Sequence, residues 1–153
     1  MYMTRAVALR VHLVASSLAL VVVLAFQVVT ITVELGGNHA AIAAAKRGIA
    51  LGLFVLLPAL AAAGASGRTL AGRSRAPFVV RKTRRMIAVA SVGVLVLVPC
   101  AVVLDRLAAA GDLGGRFRVI QYVEVAAGLL NLTLLGLNFR DGRAVTRRGR
   151  KWS

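Results

Sequence analysis

The sequence predicts an all-α, polytopic membrane protein, a single four-transmembrane-helix bundle occupying residues 1–153. Three observations predict it. Hydrophobic residues make up 59% of the chain and charged residues 16%, an apolar share above the roughly 45–50% of soluble proteins. The surplus gathers in four blocks, at about 11–33, 48–67, 86–104 and 119–139, each close to the ~20 residues that cross a bilayer as a helix. Finally, 20 Lys or Arg face only 5 Asp or Glu, and the cations collect between the blocks rather than within them.

Span 1 lies between Arg10 and Glu34. Arg5 and Arg10 before an apolar stretch mimic a secretory signal, but the stretch is too long for one and no small-residue cleavage site follows. It is therefore expected to be retained. Gln27, Thr30 and Glu34 share one helical face with His12 and Ser16, within about 60° of each other at ~100° per residue.

Span 2 runs from about Gly48 to Gly67 and carries a GxxxG pair, Gly48 and Gly52, that allows close packing. Asn38 is placed to cap a helix starting at His39, which would set Lys46 and Arg47 two turns in as cationic partners for Glu34 or Glu124. The same nine residues could instead project into the periplasm with both cations wet. Sequence leaves that open.

Span 3 lies between Arg85 and Asp105. Pro58 and Pro99 each follow an aliphatic run in mid-span, and each is expected to kink its helix and free a carbonyl one turn earlier. Span 4, Val119–Phe139, covers about 32 Å at ~1.5 Å per residue. Within it Glu124, Asn131 and Asn138 recur every seven residues, with Gln121 and Gly128 at the complementary heptad position. Such a polar stripe belongs in the bundle interior, because a charge at mid-bilayer costs about 2.5–3.5 kcal/mol even on the gentlest scale. Spans 1 and 4 are thus expected to meet, with Gln27, Thr30, Glu34, Gln121 and Glu124 in the same half of the membrane.

Cation counts orient the chain. The N-terminal tail, the basic loop 66–85 and the tail 140–153 hold fifteen Lys or Arg; the other two connections hold five. Cations accumulate on the cytoplasmic side, so both termini are expected inside, in a bacterial cytoplasmic (inner) membrane. The 17 Arg against 3 Lys, with abundant Ala, Val, Leu and Gly, also fit a GC-rich bacterial genome. Arg81, Lys82, Arg84, Arg85, Arg147 and Arg148 are expected to set topology and contact anionic head groups, at about 1 kcal/mol per cation. Phe78, Phe139 and Trp152 suit that interface. No aromatic platform accompanies these cations, so nucleic acid is not an expected partner.

Several chemistries lack the residues they need. A single cysteine, Cys100, excludes an intrachain disulfide or a thiolate metal cluster. Asp105 and Asp112 both lie at an outer edge, so an intramembrane aspartyl dyad is missing. His12 and His39 are 27 residues apart, up to ~40 Å along one helix, and could not hold one haem within the chain. Small multidrug exporters share the four short helices and an intramembrane glutamate, but theirs lies in the first helix and they need almost no cation bias. Neither metal nor cofactor is expected, and no enzyme activity.

At LPALAAAGASGRTLAG, RKTRRM and NLTLLGLNFRDG the chain resembles a group of small four-helix bacterial inner-membrane proteins, along most of its length. The resemblance implies the four-span plan and brings with it no activity and no functional residue. The leading expectation is a non-enzymatic accessory or binding protein, its interior stripe receiving a small ligand or a partner helix, with a membrane protein or a second copy as partner. The alternative is a small proton- or cation-coupled transporter using Glu124. A b-type haem protein is a minor third reading.

Overall fold

The computed structural model describes residues 4–72 and 77–149, with the side chains of 77, 78, 139 and 141–149 outside that description. The described chain is helical throughout, in the order α1 (Arg5–Gly36), α2 (His39–Ala71), α3 (Pro77–Val92), a π turn (Gly93–Leu97), α4 (Val98–Ala109) and α5 (Gly115–Gly149). α3, the π turn and α4 form one continuous rod. Four of the resulting helical segments are long and apolar enough to cross a membrane.

Local chemistry sets the breaks. Gly37 ends α1 in the left-handed region, φ 62°, with its N–H bonded to the Glu34 carbonyl. Asn38 then caps α2, its side chain accepting from the N–H groups of Ala40 and Ala41 at 3.0 and 3.2 Å. Between α4 and α5, Gly111 takes φ 72° and the Asp112 carboxylate accepts from the Gly114 N–H.

The helices extend beyond the apolar blocks that identify them. Residues 39–47 continue the second span as helix, and Lys46 within them has no exposed surface. The basic segment expected as a loop, 66–85, is helical at 66–71 and again at 77–85. The basic tail likewise remains helical to Gly149. Backbone hydrogen bonding does not stop where hydrophobicity does, and long cationic side chains can reach water or head groups from a helix that has left the hydrocarbon. Arg73, Arg75 and Trp152 lie outside the described residues.

α1 packs along α2, α2 against α4, and α5 against α1 and the α3–π–α4 rod. That closes a four-membered ring with α2 and α5 on one diagonal; among the described residues their backbones do not come close. Small side chains permit the tight crossings, with Ala15, Ala19, Ala59, Ala63 and Ala101 buried. In the GxxxG pair, Gly52 lies under the Phe26 ring of α1 while Gly48 meets nothing. Outside the ring, Val14, Leu35, Phe54, Leu95 and Tyr122 are exposed, an apolar surface suited to lipid rather than water.

The two mid-span prolines behave differently. Pro58 sits within α2, which remains helical across it. Before Pro99 the rod widens instead into the π turn, closed by the Val98 N–H bonding to the Gly93 carbonyl. Pro99 offers no N–H and its ring crowds the carbonyl four residues earlier, so one extra residue in the turn relieves the clash.

Candidate functional site

α5 turns one face inward, and its residues read down the bundle as Phe117, Gln121, Glu124, Gly128, Asn131, Leu135 and Asn138. In the half of the bundle that holds the α1–α2 turn, Lys46 crosses the diagonal from α2. Its Nζ lies 2.6 Å from Oε2 of Glu124, with Lys46 wholly buried and the Glu124 side chain 10% exposed. The same carboxylate oxygen accepts from Gln121 Nε2 at 3.2 Å, and Lys46 Nζ also reaches Thr30 Oγ1 of α1 at 3.5 Å. Three helices therefore converge on one charged layer. The partial desolvation cost of each ion is offset by the short contact and these extra hydrogen bonds.

Apolar layers bracket it. Ile42, Leu104, Ala108 and Phe117 form a cluster on the side nearest the α1–α2 and α4–α5 turns. Ala19, Val23, Ile49, Leu53, Leu56, Ala59 and Ala101 form a second one deeper in the bundle. Phe117 is one heptad before Glu124, so the aromatic ring occupies the first position of the stripe, next to the α4–α5 turn.

Further along, Gln27 Nε2 donates to the Val125 carbonyl of α5 at 3.2 Å. Gly128 is what admits the Gln27 side chain, since a Cβ there would collide with Gln27 Oε1. Asn131 Nδ2 donates to the Val89 carbonyl of α3 at 3.3 Å, directly beside the π turn, where a Cβ on Gly93 would lie 3.7 Å from that same nitrogen. Asn138 is 5% exposed.

Among the described residues, the buried side-chain polar atoms without a hydrogen-bond partner follow the stripe: Glu34 Oε1, Gln121 Oε1, Asn131 Oδ1, and both Nδ2 and Oδ1 of Asn138. The chemistry of the partners fixes their character. Gln121 gives its NH₂ to a carboxylate and Asn131 gives its NH₂ to a carbonyl, so the unspent oxygen of each is an acceptor. Among the described residues, the unspent atoms are thus four acceptors and one donor.

Arg47 does not join the charged layer; its Nη1 lies 3.2 Å from Asp105 Oδ2 with the Arg47 side chain exposed. Glu34, one turn above Thr30, has no ion pair among the described residues. Pro58 is exposed on the outside of the bundle, and Pro99 follows the π turn at the start of α4. Arg81, Lys82, Arg84 and Arg85 begin α3 away from this layer, with Arg81 and Arg84 exposed. The side chains of Arg147 and Arg148 lie outside the described residues.

Other tethers are not evident from the stripe. His12 has Nδ1 3.0 Å from the Ala63 carbonyl and 3.4 Å from Ser66 Oγ, joining the N-terminal part of α1 to the C-terminal part of α2. Its phase, shared with Gln27 and Thr30, carried that signal. His12 lies in the N-terminal part of α1 and His39 opens α2 beyond its other end, and the described residues hold no group of three or more His, Cys, Asp or Glu side chains suited to a metal. Cys100 is partly buried on α4, within electrostatic range of Lys46 and Glu124.

No protein-family model, curated protein or solved structure matches the chain.

Proposed function

We propose that this is a non-enzymatic, multi-pass protein of a bacterial cytoplasmic membrane, with both termini inside. Its interior stripe receives a small hydrogen-bond donor or a polar side chain from a partner helix, as an accessory or binding subunit would. The observation that carries the reading is the surplus of acceptors on Gln121, Asn131, Asn138 and Glu34, buried yet unused. Unsatisfied buried polar atoms cost about 1–3 kcal/mol each, so a donor that reached them would be bound strongly. The basic ends, including Arg81, Lys82, Arg84, Arg85, Arg147 and Arg148, contact anionic head groups and fix orientation. Partners are lipid and a membrane protein or second copy, without nucleic acid, metal or cofactor.

A second reading, proton- or cation-coupled permeation through Glu124, draws on the length of the stripe. Gln121 to Asn138 rises about 25 Å, most of the ~30 Å hydrocarbon core. Two features favour the first: Lys46 already neutralises Glu124, and apolar side chains bracket the pair on both sides. Proteoliposomes under a proton gradient separate them. The binding reading expects no flux above lipid background in either wild type or Glu124→Gln; a wild-type flux abolished in a folded Glu124→Gln protein would replace it with the transport reading.

A further inference from the structure

An apolar groove of about 580 Å³ runs along the outside of the bundle where α1 meets α2. Arg10, Val14 and Leu18 line it on α1; Val55, Pro58 and Ala62 line it on α2. Its depth comes from small groups at the helix crossing, the Pro58 ring and the Ala62 methyl, where a long aliphatic side chain would close it. All of the lining is apolar except at one end, where Arg10 stands exposed and without an ion pair among the described residues.

The dimensions match half a bilayer. Arg10 to Leu18 rises about 12 Å along α1. One leaflet contributes about 15 Å of hydrocarbon. A guanidinium at the water end of a leaflet-deep apolar channel is complementary to a phosphate carrying an acyl chain. A packed helix fits less well, because it would cover Arg10 without offering it an anion.

We propose that this groove is a binding site for one anionic phospholipid, its acyl chain between α1 and α2 and its phosphate on Arg10. On the orientation proposed above, the lipid comes from the inner leaflet. Pro58 then has a role beyond helix geometry: its compact ring keeps the channel open at a point where a longer side chain would fill it.

Native mass spectrometry of the full chain, released from symmetric nanodiscs of equimolar phosphatidylglycerol and phosphatidylcholine, tests this. Symmetric nanodiscs present the anionic lipid to both faces, so the result does not depend on orientation. The expected outcome is one retained lipid per chain, with phosphatidylglycerol favoured about fivefold, as a single interfacial cation would favour it. Arg10→Gln should bring the two lipids to parity while retention continues. Ala62→Phe should remove retention of both. Equal retention of the two lipids by wild type, or an unchanged preference in Arg10→Gln, overturns the proposal. So does a dimer, insensitive to lipid, that Ala62→Phe dissociates, since the groove would then hold a second copy. Should Ala62→Phe fail to fold, Arg10→Gln decides alone, because its side chain is exposed.

Discussion

Lys46 has no surface left to water, and its ammonium reaches Glu124 across the bundle diagonal. Removing one member of such a pair strands the other, which costs about 3–5 kcal/mol in buried settings. Lys46→Met should therefore destabilise the bundle by that order, read as a fall in the unfolding midpoint in detergent. Lys46→Met with Glu124→Leu should recover most of the loss, because an apolar replacement of both ions is often neutral or better. A double variant no more stable than Lys46→Met would mean that Glu124 was never stranded. The choice of Lys46 over Arg47 was not legible in the sequence: adjacent residues point about 100° apart, and only the rotation of α2 in the ring selects between them. Glu124, Asn131 and Asn138 were legible as one face, since a seven-residue spacing fixes a helical face whatever the neighbours do.

At the level of the helical element, the π turn Gly93–Leu97 is the clearest departure from regular geometry. It adds one residue to a turn and so sets the phase of α3 relative to α4, presenting the Val89 carbonyl to Asn131 while Leu104 still faces inward. Deleting Val94 should return the segment to α-helical register with the α3 and α4 faces nearly preserved. Deleting Val55, in regular helix, should instead rotate everything beyond it by about 100°. The first variant is expected to retain a cooperative thermal transition in detergent and the second to lose it; equal damage from both would refute a built-in extra residue. Pro99 signalled a perturbation here, but whether a proline yields a kink or a widened turn depends on what the neighbouring helix packs against. The extent of the helices was illegible for a related reason. Apolar blocks mark the hydrocarbon, whereas residues 39–47 and 77–85 keep hydrogen bonding as helix among charged side chains.

On the scale of the whole molecule, four apolar crossings separated by unequal charge make a topology prediction. With Cys100 replaced by Ser, single cysteines placed near residue 4 and at residue 149 should both resist a membrane-impermeant thiol reagent in intact cells and react after the inner face is opened. A cysteine at Asp112 should react without that step. Labelling of the two termini from opposite faces would contradict the orientation outright. The four helices long and apolar enough to cross were legible from composition, because a bilayer core admits only segments that satisfy their own backbone. The ring order, with α2 and α5 diagonal, was not, since it depends on which small residues find each other.

The shared depth of Lys46 and Glu124 has an electrical consequence. A lone charge moved through a membrane potential does work of about 2.3 kcal/mol per 100 mV, so an isolated buried carboxylate would couple any displacement of α5 to voltage. Here the opposite charge travels at the same level, 2.6 Å away, and the work done on one cancels the work done on the other. In an energised membrane, raising or collapsing the potential would thus do little net work on this layer, and a bundle carrying it would not be pulled in either direction.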